Sequence, residues 1–186
     1  MTIENYIKVC KKWEGGLSKD KNDSASVNPC PTDYKGVSGY HTNKGVTYAA
    51  WKNVFGKDND LRFFEMSDED WFKIFKTKYW DAVKGDRFNS INIAAMVTAF
   101  AWGSGAKQAG TTLQKAIKAL GKPIVVDGKI GNQTIGLANE IDPVILFDKL
   151  IELRRAFFHK IAVGKNEKFL KGWLNRLHDY NKQFRP

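Results

Sequence analysis

The segment INIAAMVTAFAW, Ile91 to Trp102, is nearly all apolar and most of its side chains are small. A helix with no polar face must be covered on every side, and this run is far shorter than a membrane span. It therefore predicts a central helix enclosed by others, broken at Gly103–Gly105. The covering elements are visible as amphipathic stretches. Ile3, Tyr6, Ile7, Cys10 and Trp13 recur at helical steps. Thr47 precedes YAAWKNVFG as an N-cap, with Gly56 as the stop. Ser67 followed by Asp68, Glu69 and Asp70 is a strong helix start, ahead of a stripe of Trp71, Phe72, Phe75 and Tyr79. Further helices are predicted over about Ala109 to Leu120, from Asp142 with Pro143 at the first position, and over about Phe169 to Phe184. The chain is thus mainly α.

Two stretches interrupt this pattern. Residues 18 to 44 are polar and punctuated by Pro29, Pro31, Gly36 and Gly39. A connection of that length is either a lid or groove wall, or it hides a short hairpin around YKGVSGY. GKPIVVDGKIGNQTIGLANE, beginning at Gly121, reads as a compact turn-rich unit and marks a domain boundary, with domains expected at 1–121 and 122–186.

The formal net charge is +10, and residues 121–186, with 12 basic and 7 acidic side chains, carry half of it. The excess is spread out, with no run of four basic residues and no alternation of basic and aromatic residues, so a nucleic-acid partner is not expected. Such a field favours approach to an anionic polymer such as a bacterial wall. No apolar run reaches membrane-span length, so no membrane insertion is expected, and a monomer is expected. The amino terminus lacks the apolar core of a signal peptide. That predicts synthesis in the cytoplasm, with action in the periplasm or at the wall after release or export by another factor.

Metal chemistry finds little support. His41, His159 and His178 have no partner at HxxxH or HxxH spacing, and Cys10 and Cys30 permit one disulfide that sequence does not establish. No cofactor and no metal are expected. Glu14 stands out instead. In KKWEGG it follows an amphipathic helix, next to Trp13 and before Gly15 and Gly16, where a half-sheltered carboxyl suits a general acid and the glycines admit a close approach. Capping, pairing with Lys11 or Lys12, or simple exposure are the alternatives at this point.

WEGGLSKDKND followed by HTNKGVTYAAW, then KYWDAVKGDRF and a helix ending in WGSG, resembles the amino-terminal domain of glycoside hydrolase family 108, N-acetylmuramidases also described as secretion activator proteins. VDGKIGNQTIGLAN through LIELRRAFFHKIA to FLKGWLNRLHDY is similar to the peptidoglycan-binding-type domain usually fused to it. The resemblance implies a lysozyme-like helical domain with a small helical C-terminal module, cleaving the bond between N-acetylmuramic acid and N-acetylglucosamine in peptidoglycan; the alternative is a non-catalytic wall-binding or secretion-accessory protein that keeps the fold. It places the catalytic glutamate at Glu14 and the family threonine at Thr47. The family's usual aspartate motif is absent, which leaves Asp33 and Asp23 as stand-ins for the assisting carboxylate. Trp13, Tyr48 and Trp102 are expected to contact substrate. Trp173, Arg154, Arg155 and Arg176 are the candidates for wall contact; the alternative is a stabilising role, with Trp173 in the core and the arginines paired with Glu152 or Asp179.

Overall fold

The computed structural model describes residues 3–186, without the side chains of Ile3 and Glu4, so the place of the Ile3 side chain in the predicted stripe lies outside what is described. Two compact units emerge: one formed by Met1–Val9 with Tyr79–Pro186, the other by Cys10–Lys78. The chain passes between them within helix α1 (Ile3–Lys11) and within a π turn over Lys76–Trp80.

The larger unit is built around α5 (Ile91–Ser104), where Ile93 to Ala101 are all buried. Ser90 caps it, and the hydroxyl of Thr98 donates to Ala94 O (2.7 Å), so the one hydroxyl within that buried run is satisfied by its own helix. α6 (Ala106–Ala119), α8 (Pro143–Ile161) and α9 (Leu170–Phe184) pack around α5, as an all-apolar helix requires. α8 starts where Asp142 accepts from the amides of Val144 (2.9 Å) and Ile145 (3.1 Å), with Pro143 behind it.

Between α6 and α8 the turn-rich stretch is pinned by one buried amide. Gln114 donates to the Asp127 carboxylate (2.8 Å) and to Lys129 O (3.0 Å), and accepts from the amide of Gly128 (2.7 Å). Gly110 lets the turn seat on α6, since a Cβ there would stand 2.3 Å from Gly128 O. The stretch then forms a helix the pattern did not announce, α7 (Asn132–Glu140). Its glycine and lack of a side-chain cap hide it; burial of Thr134, Ile135 and Ala138 holds it.

The smaller unit holds the hairpin β1 (Thr42–Asn43) and β2 (Val46–Thr47), then α2 (Tyr48–Phe55), α3 (Asp60–Phe64) and α4 (Asp68–Phe75). Lys44 and Gly45 turn the hairpin with φ of 47° and 75°, the left-handed pair of a tight two-residue turn. Lys35 and Gly36 repeat it (φ 52° and 76°), and Tyr34 bridges Val37 there, so YKGV is indeed a small hairpin turn. In α4, Trp71, Ile74 and Phe75 are buried but Phe72 is exposed, contrary to the predicted stripe. The buried three sit at steps of three and four; Phe72 lies about 100° around the helix from Trp71. Ser67 and Asp70 form a capping box, and the buried Asp70 also accepts from Arg62 Nε (2.9 Å). No helix among the described residues is long and apolar enough to cross a membrane.

Candidate active site

α1 stops at Lys11, and two amides turn the chain back on it: Trp13 donates to Cys10 O (3.1 Å) and Glu14 to Lys11 O (3.0 Å). This places Glu14 half-buried just beyond the helix end, in the sheltered position its spacing predicted. Lys11 is engaged by Asp68 and lies over the Trp71 ring, and it holds the Asp68 carboxyl below its ordinary range. Gly15 and Gly16 are exposed, and a Cβ added to either meets nothing within 4 Å. No packing demand accounts for glycine here; the backbone beside Glu14 is open.

Four residues after Glu14 the chain joins the hairpin. The amide of Ser18 donates to Thr42 O (2.8 Å) and Ser18 O accepts from His41 N (3.0 Å), while Thr42 pairs with Thr47 across the turn. Ser18, Thr42 and Thr47 thus stand in one row across three chain segments, about 10 Å from first to last at ordinary strand spacing. The row carries the segment after Glu14 to the same small sheet as Thr47.

His41 secures this junction. Its buried Nε2 donates to Asp20 O (3.0 Å), and its Nδ1 shares a hydrogen bond with the hydroxyl of Thr42 (2.9 Å). Asn43, also buried, donates to the carbonyls of Phe63 (2.8 Å) and Phe64 (3.1 Å). Trp71 Nε1 donates to Lys44 O (2.9 Å), and Lys44 Nζ to Met66 O (2.6 Å). The hairpin is therefore bolted to α3 and α4 from both sides.

Thr47 caps α2: its oxygen accepts from Ala50 N (3.2 Å). That uses one lone pair and leaves the hydroxyl proton and a second lone pair for another partner. Tyr48 is 2% exposed, its ring edge-on to Phe63 and its hydroxyl 2.5 Å from Asp60, which also accepts from Thr32 Oγ1 (2.7 Å). Burial, with the Asp60 carboxylate beside it, pushes the Tyr48 phenol upward. A ring so enclosed offers a sugar no face, so the substrate contact expected of Tyr48 gives way to tying the long loop to α2. Trp13 is half-buried with Lys12 over its ring (5.7 Å). Trp102 is also half-buried, packed on Tyr79 (4.7 Å between centroids), and belongs to the other unit.

Of the loop carboxylates, Asp23 caps a 3-10 turn over Ser24–Val27, its Oδ1 accepting from Ala25 N (2.9 Å), and Asp33 is exposed before the YKGV turn. Sequence reasoning passed over Asp20 and His41. Asp20 is held through its own carbonyl by His41, and its Oδ1 accepts from Asn22 N (2.9 Å). The only hint in the sequence is that Asp20 follows EGG at short range, and a lone histidine next to a TN pair gives none. Among the described residues no three His, Cys, Asp or Glu side chains cluster as metal ligands would.

Residues 7–105 match the family model described as Glycosyl hydrolase 108. The chain belongs to the glycosyl hydrolase 108 family. Residues 108–178 match a second model, described as a predicted peptidoglycan domain, so a glycosidase part is followed by a peptidoglycan-binding part. Among solved structures, SagA from Brucella abortus shares the fold with a TM-score of 0.72 at 22% identity, covering 98% of this chain and 95% of that one. Comparison with curated proteins finds no match. In this glycosyl hydrolase 108 chain, Glu14 and Thr47 both lie within the matched glycosidase residues and within the smaller unit.

Proposed function

We propose that the protein is an N-acetylmuramidase that hydrolyses the β-1,4 bond between N-acetylmuramic acid and N-acetylglucosamine in peptidoglycan. The observation that carries this reading is the Ser18–Thr42–Thr47 row, which brings the Glu14 segment and Thr47 to one small sheet, with open backbone at Gly15 and Gly16. Family membership supplies the reaction class. Glu14 gives its proton to the glycosidic oxygen as the bond breaks and the sugar ring gains oxocarbenium character. A water attacks the opposite face, donating one hydrogen bond to the spare lone pair of Thr47 Oγ1. Its proton passes to a carboxylate of the 18–44 loop, for which Asp20 joins Asp33 and Asp23. Attack by water inverts the anomeric centre. Trp13 and Trp102 are proposed to contact the glycan, and the protein acts on the wall after leaving the cytoplasm with the help of another factor.

Glu14→Gln keeps the shape and removes the acid. It is expected to slow clearing of purified peptidoglycan by on the order of 10²-fold or more, with the fold intact by circular dichroism. Equal clearing by the two folded proteins would sink the assignment, and product anomers read by magnetic resonance decide between inversion and retention.

A further inference from the structure

A groove of about 470 Å³ runs between α8 and α9 in the larger unit, within the size range of small-ligand sites. Asp148, Glu152, Arg155 and His159 follow one another along α8 at steps of three and four, a line about 16 Å long. Ile151 and Ala156 give it an apolar floor, and Asn181 of α9 faces them. Its two ends differ in what is already satisfied. Asp148 accepts from Nε and Nη2 of Arg185 (2.8 Å each), which holds its carboxyl below the ordinary range, and Glu152 accepts from Lys149 (2.5 Å). Arg155 and His159 form no ion pair or side-chain hydrogen bond among the described residues. The acidic end is neutralised from within; the basic end is open.

We propose that this groove binds the stem peptide of peptidoglycan, with Arg155 and His159 on its carboxylates and Ile151 and Ala156 under its alanine methyls. This rests on the wall as substrate. In intact peptidoglycan the lactyl acids are consumed as amides, so the repeating disaccharide is neutral and the carboxylates sit on the peptides. A guanidinium fork suits a carboxylate, while the cations at the far end are already taken up by Asp148 and Glu152 and offer nothing to a second one, which sets the direction of the peptide.

The test uses the full-length Glu14→Gln protein, which leaves the glycan intact, and Gram-negative glycan strands fixed on beads through their reducing ends, either bearing their stem peptides or stripped of them by an amidase. Stripping frees the lactyl carboxylates, so the strands stay anionic and a merely electrostatic attraction survives it. Retention on the beads is expected to weaken roughly tenfold with stripped strands, and by a similar factor with peptide-bearing strands when Arg155→Glu and His159→Glu are added, about 1.4 kcal/mol. Free stem tetrapeptide should shift the His159 ring protons of the parent. Equal retention on peptide-bearing and stripped strands overturns the proposal, as does a folded double variant that is retained like its parent. In a Glu14 background the double variant should cleave soluble peptide-free glycan at the parental rate. If neither cleaves it, the muramidase reading fails while the retention result still decides the groove.

Discussion

Thr47 joins two tasks in one oxygen. As N-cap it accepts from Ala50 N, and nothing in that bond prevents it from also receiving a water. Thr47→Ser should keep the melting temperature and the clearing rate near those of the parent. Thr47→Val should lose about 1 kcal/mol of stability. Assayed at a temperature where it remains folded, it should also lose rate; an unchanged rate would make the threonine a cap alone. A second residue-scale expectation concerns Cys30. Burial pushes its thiol above the ordinary value of 9.0, with the Asp60 carboxylate adding to the shift. The folded state thus favours the protonated thiol, and Tyr48 behaves alike. For groups raised on folding, the contribution is whole below the unfolded pKa and disappears as pH rises through the folded one. Denaturant unfolding should give steady stability to about pH 9 and a decline above it, shallower in Cys30→Ala.

At the scale of elements, the hairpin from Thr42 to Thr47 is the piece on which the site depends, and a buried amide holds it. Asn43→Ala would leave the carbonyls of Phe63 and Phe64 without their donor, at about 1–3 kcal/mol, visible in denaturant midpoints. Gly110→Ala should cost about as much, because its Cβ would meet the carbonyl of Gly128 and force the turn off α6. Elements with local chemistry were legible in the sequence. Ser67, Thr47 and Asp142 do cap their helices, since a cap is decided within four residues. The all-apolar Ile91–Trp102 segment announced the central helix for a similarly local reason. The hairpin, α3 and α7 were not legible, because two-residue strands and short uncapped helices are held by partners distant in sequence. Glu14 could be singled out from its neighbours alone. Tyr48 could not be placed, because its burial depends on Asp60 and Phe63.

For the molecule as a whole, the charge of +10 is spread along the chain without a basic run, so attraction to an anionic wall should decline smoothly as salt rises, surface charges being screened over about 8 Å at physiological ionic strength. Sedimentation with sacculi at 50 to 400 mM salt measures it, and a salt-independent bound fraction would show that charge contributes little. Cutting the chain after Gly121 is a harsher test of how its parts depend on each other. It would remove α8 and α9, which cover α5 and α6, and so expose the most apolar helix of the protein. The truncated protein should aggregate, as size-exclusion chromatography would show.

Cys10 and Cys30 are both buried and neither is in a disulfide. No covalent bond therefore closes any loop of this fold, and the long 18–44 connection is held in place by hydrogen bonds and packing alone. The native state thus needs no oxidant and no disulfide isomerase to form. Its thiols stay shielded from oxidants until the chain opens, so their modification reports unfolding rather than controlling it.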